Sequence, residues 1–191
     1  MNTERKNILI VGEEQTGKTT LVKKIIDEIG HKQGFITRES TKVDGKFERV
    51  TYNLVPIHDQ EYIEKESGIE MGSIKFNRKG GAEYTEADFS TLKPIFRRLR
   101  NTNGHFLFAD EISLMDGLVS DVEFYKLVNA YLASPNLMLG TISPQNEGTP
   151  SYYFVENVLH RPDAVVFDLG KNSVDEVENM VRESIHPRYF L

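Results

Sequence analysis

Asn7-Ile-Leu-Ile-Val11 runs straight into Gly12-Glu-Glu-Gln-Thr-Gly17-Lys18-Thr19-Thr20, and Leu21, Val22, Ile25, Ile26 and Ile29 follow at helical spacing. A short β-branched apolar run that ends at a glycine reads as a buried parallel strand. The apolar positions after Lys18 form one stripe of a helix over Lys18 to Ile29, with Gly30 as its stop. Between strand and helix lies a loop with glycine at both ends and Gly-Lys-Thr at its exit. That spacing lets the backbone curl so that successive N–H groups point inward, which makes a cradle for phosphate. The lysine of such a P-loop reaches the β- and γ-phosphates, the next hydroxyl can ligate Mg2+, and the helix start adds the positive end of its dipole. The nucleotide-binding candidates are therefore Gly12, Glu13, Glu14, Gln15, Thr16, Gly17, Lys18, Thr19 and Thr20, with Lys18 also a catalytic candidate and Thr19 a metal ligand. Glu13 and Glu14 put two carboxylates into a loop built for a polyanion. Either their side chains face solvent, or they weaken the local attraction or act on a metal-bound ligand.

A second constellation stands downstream. His105 to Phe108 reads as a strand whose apolar run ends in Asp110-Glu111. An acid at the tip of an apolar parallel strand is where a P-loop protein sets its metal-holding aspartate, so Asp110 is the second metal candidate. Glu111, directly after it, is placed to polarise an attacking water and is the candidate base. The strand Leu137 to Ile142 ends in Gly140-Thr141-Ile142-Ser143, and the Thr141 hydroxyl either senses a γ-phosphate or caps the strand end. Arg38, Arg97, Arg98, Arg100, Arg161 and Arg188 are all available to complete transition-state charge, and none is singled out by position. The five histidines lack ligand spacing and read as structural. Thr41-Lys-Val-Asp44 looks like a guanine-specificity motif but comes too soon after the loop, before a hairpin turn, for that role.

The remaining segments organise around these two motifs. Phe35 to Glu39 and Phe47 to Ile57 read as strands joined by an Asp44-Gly45 turn, and Met71 to Asn77 as a further strand before the turn Arg78-Lys-Gly-Gly81. Residues 40 to 84 thus form a β-rich, antiparallel insertion. Thr85 to Asn101 reads as a helix with Thr85 and Asp88 as a capping-box-like start and Pro94 inside it. Helices over Val119 to Leu132, Tyr152 to Leu159 and Val174 to Ser184 alternate with the strands Leu137 to Ile142 and Ala164 to Leu169. Strands alternating with helices imply an α/β three-layer sandwich, a mostly parallel sheet with helices on both faces. No repeat or linker divides the chain, so residues 1 to 191 read as one domain.

Composition narrows the partners. The 191 residues carry a net charge of -6, which disfavours a general affinity for nucleic acid or anionic membrane. Cysteine is absent, which excludes disulfides, thiol catalysis and cysteine-held zinc or iron–sulfur groups, and fits a reducing compartment. Apolar runs are too short to span a membrane, and the N-terminus has no signal-peptide pattern, so a cytoplasmic protein is expected. Nothing sets the oligomeric state; a monomer is the default.

Four stretches, in order, resemble one family. They are Gly12 to Thr20; Gly34-Phe-Ile-Thr-Arg-Glu39; Asp110-Glu-Ile-Ser-Leu-Met-Asp116; and Gly140-Thr-Ile-Ser143 with Phe154-Val-Glu-Asn157 and Arg161-Pro-Asp163. Together they are similar to the THEP1-type nucleoside-triphosphatases, which include the cancer-related nucleoside-triphosphatase of animals. The resemblance implies a P-loop NTPase with a RecA/AAA-like sheet that hydrolyses ATP, GTP and other nucleoside triphosphates to diphosphate and phosphate with Mg2+. It makes Lys18 and Thr19 the phosphate and metal residues, Asp110 the Walker-B acid and Glu111 the catalytic base. The chain departs from the family pattern at Glu13-Glu14-Gln15-Thr16, at Ser113 (usually Gly) and Asp116 (usually Glu), and at Arg38-Glu39-Ser40-Thr41. Two other readings of the same loop are a kinase of a nucleoside, nucleotide or other small molecule, and a nucleotide-binding module activated by a partner.

Overall fold

β1 (Asn7–Val11) alternates its side chains between two buried faces, Ile8 and Ile10 toward one and Leu9 toward the other. That two-sided burial is why the run reads as continuously apolar. The chain, described here from a computed structural model, is defined over residues 5–44, 47–58, 61–62, 69–77, 82–86, 89–102, 104–113, 122–145, 147–148 and 150–191. After β1 come α1 (Lys18–Ile26), β2 (Lys32–Asp44), β3 (Phe47–His58), β4 (Glu61–Tyr62), β5 (Ile69–Asn77) and β6 (Ala82–Glu86). Then follow α2 (Phe89–Leu99), β7 (Phe106–Asp110), α3 (Val122–Ala133), β8 (Met138–Ile142), α4 (Pro150–Leu159), β9 (Ala164–Asp168) and α5 (Val174–Ser184), with a final 3-10 turn at Pro187–Tyr189.

Among the described residues nine strands form one sheet in the order β6-β5-β3-β2-β7-β8-β1-β9, with β4 paired to β3. The pairs β2–β7, β7–β8, β8–β1 and β1–β9 are parallel, and everything beyond β2 is antiparallel. Helices cover both faces of the parallel part. On one, Leu21, Val22, Ile25 and Ile26 of α1 and Val177 and Val181 of α5 pack on Ile8, Ile10, Phe106 and Phe108. On the other, Ile95, Phe96 and Leu99 of α2, Phe124, Leu127, Val128 and Tyr131 of α3, and Val155 and Val158 of α4 pack on Leu9, Phe35, Leu107 and Ala109. This is the α/β three-layer sandwich expected from the alternation of elements.

Several boundaries differ from the sequence reading. The antiparallel insertion extends the main sheet, because β3 pairs with β2 from Gln33 to Asp44. β2 is correspondingly longer than Phe35 to Glu39. Its first residues pair with β7, from Lys32 opposite Phe106 to Ile36 opposite Asp110. Its remainder continues past the end of β7 with β3 as partner, from Thr37 opposite Leu54 to Asp44 opposite Phe47. That far arm, Ser40 to Val43, is exposed, which is why Ser40, Thr41 and Lys42 are polar and the arm does not show as a buried strand. Thr85 does not start a helix: it lies in β6 opposite Ser73, and α2 begins at Phe89. Ladder pairing suits a β-branched threonine, and Asp88, the other half of the expected cap, lies outside the described residues. Pro94 sits inside α2 on its exposed side without ending it. α1 stops at Ile26 because the Lys32 ammonium takes the carbonyls of Ile26 and Ile29, while Ile29 bridges to Phe190. The expected helix start at Val119 lies outside the described residues.

Candidate active site

The carboxyl ends of β1, β7 and β8 are neighbours, and the two sequence motifs meet there although about a hundred residues separate them. Gly12 ties the loop to β8 through its N–H on the Ile142 carbonyl at 3.2 Å. The loop then turns through Gln15 at φ 61° and Gly17 at φ 94°, left-handed conformations that glycine adopts without strain. Gly17 is the N-cap of α1 and supplies no side-chain cap. The first N–H groups of the helix are thus not capped by a side chain, which suits an anion. Glu13, Glu14 and Gln15 are exposed, in keeping with solvated side chains. Lys18 is buried, and its ammonium donates to the carbonyls of Gly12 at 2.7 Å and Glu13 at 2.8 Å. It sits 3.9 Å from Glu111 Oε2.

Asp110 is buried at the end of β7, on the α1 face of the sheet. Thr141, its neighbour on β8, is fully buried and donates its hydroxyl to Asp110 Oδ1 at 2.6 Å. Thr141 is therefore a support for Asp110, reached along the sheet rather than from the loop. Among the described residues Asp110 Oδ2 is buried without a hydrogen-bond partner. Burial pushes the carboxyl pKa up from 3.8 to about 6; the Thr141 and Thr19 hydroxyls and Lys18 oppose that rise, while the charge of Glu111 adds to it. The Asp110 carboxylate with the Thr19 hydroxyl beside it is a donor pair for a small, hard cation. Among the described residues no group of three or more His, Cys, Asp or Glu is placed to hold a metal.

Glu111 follows at the sheet edge, and the structure surrounds it with residues to which the sequence reading assigned no role. Its N–H donates to Thr37 Oγ1 of β2 at 3.1 Å, and its Oε1 accepts from the Ser113 hydroxyl at 2.6 Å. Gly34, in the same strand as Thr37, lets β2 pass against β7, since a Cβ there would lie 1.9 Å from the Phe108 carbonyl oxygen. The arginine candidates are mostly engaged in other contacts. Arg100 pairs with Glu123; Arg161 binds Asp163 and the Leu132 carbonyl; Arg188 lies over the Tyr189 ring at 4.9 Å. Arg97 and Arg98 are exposed. The histidines are less scattered than they read. His58 and His105 have ring centroids 4.6 Å apart and His31 lies 6.5 Å from His105, at the amino end of β7, opposite to the phosphate loop.

A parallel sheet with the phosphate loop after β1 and an acidic pair at the tip of β7, one strand away across β8, defines a P-loop NTPase. The family model described as NTPase (NTPase_1) matches residues 7–182, and the chain belongs to that family. It is 26% identical over 178 residues to the nucleoside-triphosphatase THEP1 of Thermotoga sp. (strain RQ2), covering 91% of this chain and 92% of that protein. The corresponding protein of Aquifex aeolicus (strain VF5) is 24% identical over 172 residues, covering 89% and 93%. In fold, the chain is similar to the crystal structure of THEP1 from the hyperthermophile Aquifex aeolicus, with a TM-score of 0.59 at 22% identity over 94% of this chain and 99% of that one. It is also similar to the solution structure of a human cancer-related nucleoside triphosphatase, with a TM-score of 0.54 at 20% identity over 93% and 96%.

Proposed function

We propose that the chain hydrolyses nucleoside 5′-triphosphates, ATP and GTP among them, to diphosphate and phosphate, slowly and with broad base specificity. The observation that carries this is the meeting of Lys18, Asp110 and Glu111 at one sheet edge, with Glu111 Oε2 3.9 Å from the Lys18 ammonium. The loop amides and the α1 N-terminus hold the β- and γ-phosphates, and Lys18 exchanges its two carbonyl partners for phosphate oxygens. Asp110 and Thr19 would hold Mg2+, which would supply charge neutralisation on the phosphate oxygens. Glu111 accepts a proton from water as the water oxygen bonds to the γ-phosphorus. The bond from that phosphorus to the β–γ bridging oxygen breaks, and the diphosphate leaves with the electron pair. Positioning and charge stabilisation account for catalysis of this kind. The absence of cysteine and the lack, among the described residues, of a helix long and apolar enough to cross a membrane support action on free nucleotides in the cytoplasm.

Phosphate release from ATP and GTP with Mg2+ is the test, on wild type, Lys18→Ala and Glu111→Gln. Lys18→Ala is expected to lose nucleotide affinity and turnover together, Glu111→Gln to keep affinity and lose roughly 100-fold or more in turnover. No release above background by wild type refutes hydrolysis. Diphosphate formed only when an acceptor is added replaces it with phosphoryl transfer, for which the β2–β3 arm reaching past Asp110 offers a wall.

A further inference from the structure

Glu111 is held by more than its place at the end of β7. Its Oε1 accepts from the Ser113 hydroxyl at 2.6 Å and from the Ser143 backbone N–H at 3.0 Å. The same N–H reaches the Ser113 oxygen at 2.8 Å, so the three groups close a triangle. A serine hydroxyl donates one proton and accepts through its lone pairs, so Ser113 serves both partners at once. Ser113 and Ser143 are both buried. Thr37 Oγ1 accepts the Glu111 N–H at 3.1 Å and fixes the backbone from the β2 side. Oε1 is thereby occupied twice, while Oε2 faces the Lys18 ammonium at 3.9 Å.

We propose that Ser113 is a positioning residue for Glu111: its hydroxyl, together with the Ser143 amide, pins Oε1 so that Oε2 is the oxygen presented to water beside the phosphate cradle. The inference rests on the hydrolytic reading above. A free glutamate side chain has rotamer freedom that must be lost when it lines up on a water. Anchoring one carboxylate oxygen beforehand removes that loss from the reaction step and holds the other oxygen in reach. Ser143 contributes through its backbone, so only Ser113 is open to side-chain substitution.

The test compares wild type, Ser113→Ala, Ser113→Thr, Glu111→Gln and the Ser113→Ala/Glu111→Gln pair. Phosphate release from Mg-ATP gives kcat and KM, and calorimetry gives Mg-ADP affinity. Ser113→Ala is expected to lower kcat roughly tenfold with KM and ADP affinity unchanged, as for loss of one hydrogen bond to a charged group. Ser113→Thr, which keeps the hydroxyl, recovers most of the rate. In the Glu111→Gln background the serine change makes no further difference to the residual rate, because its effect passes through the carboxylate. A Ser113→Ala kcat within twofold of wild type, or equal losses in both backgrounds, or a parallel loss of ADP affinity, overturns the inference while leaving hydrolysis standing. A wild type that releases no phosphate overturns both.

Discussion

Replacing Asp110 with Asn removes a buried charge at nearly constant side-chain size, and the structure sets the sign and scale of the result. The carboxyl is buried; Oδ1 accepts from Thr141 and Oδ2 has no partner among the described residues. Burial raises its pKa from 3.8 to about 6. A folded-state pKa above the unfolded one means that the native protein binds more protons between those values. Stability is therefore fullest below about pH 4, falls as pH rises to about 6, and stays at the lower level above that. The rise from 3.8 to about 6, at roughly 1.4 kcal/mol per pH unit, corresponds to about 3 kcal/mol. Asn keeps an acceptor for Thr141 but sets an amide donor where Oδ2 stood, which returns part of the gain. The expected net effect near pH 7.5 is a stabilisation of about 1–2 kcal/mol, or roughly 2–8 °C in Tm for a domain of this size. Thermal unfolding by circular dichroism with EDTA, at about pH 4 and about pH 7.5, reads it. Asp110→Asn should melt higher than wild type at the upper pH and no higher at the lower one. An unchanged or lower Tm near pH 7.5, or the same difference at both pH values, refutes the reasoning. With Mg2+ and ADP added, the wild type should overtake the variant, because the same oxygen is the proposed cation ligand.

Two further substitutions probe the frame. Gly34→Ala forces a Cβ against the Phe108 carbonyl oxygen and parts β2 from β7, so a loss of roughly 3 kcal/mol or more is expected in urea unfolding; a variant as stable as wild type would show that the two strands are not packed this closely. Ser173→Ala removes the capping box of α5, where Ser173 and Glu176 bond each other's backbone N–H, and should lower stability by about 1 kcal/mol with phosphate release unchanged; a change in turnover instead would mean that α5 acts on the site.

The phosphate loop, the parallel core and the α/β class were legible in the sequence because each depends on residues close together in the chain. Gly12 to Thr20 carries its own geometry, since the left-handed turn at Gly17 and the start of α1 are local. Asp110 and Glu111 were legible as a strand end. The β-rich stretch was recognisable too, but its register was not. Thr85 reads equally well as a helix cap or a strand residue, and only pairing with Ser73 decides. The surroundings of Glu111 were hidden for the same reason. Ser113 stood out in the sequence as a departure from the family's usual Gly, and Thr37 and Ser143 as members of stretches that resemble the family, but none had a role, because Thr37 and Ser143 are 74 and 32 residues from the groups they contact on Glu111. Local hydrogen-bonding and periodicity thus determined the loop and the alternating strands and helices of the parallel part from sequence alone. Which oxygen of Glu111 is pinned and which stays available is decided by strands that meet only in the folded sheet, because a hydrogen bond depends on distance in space and not along the chain.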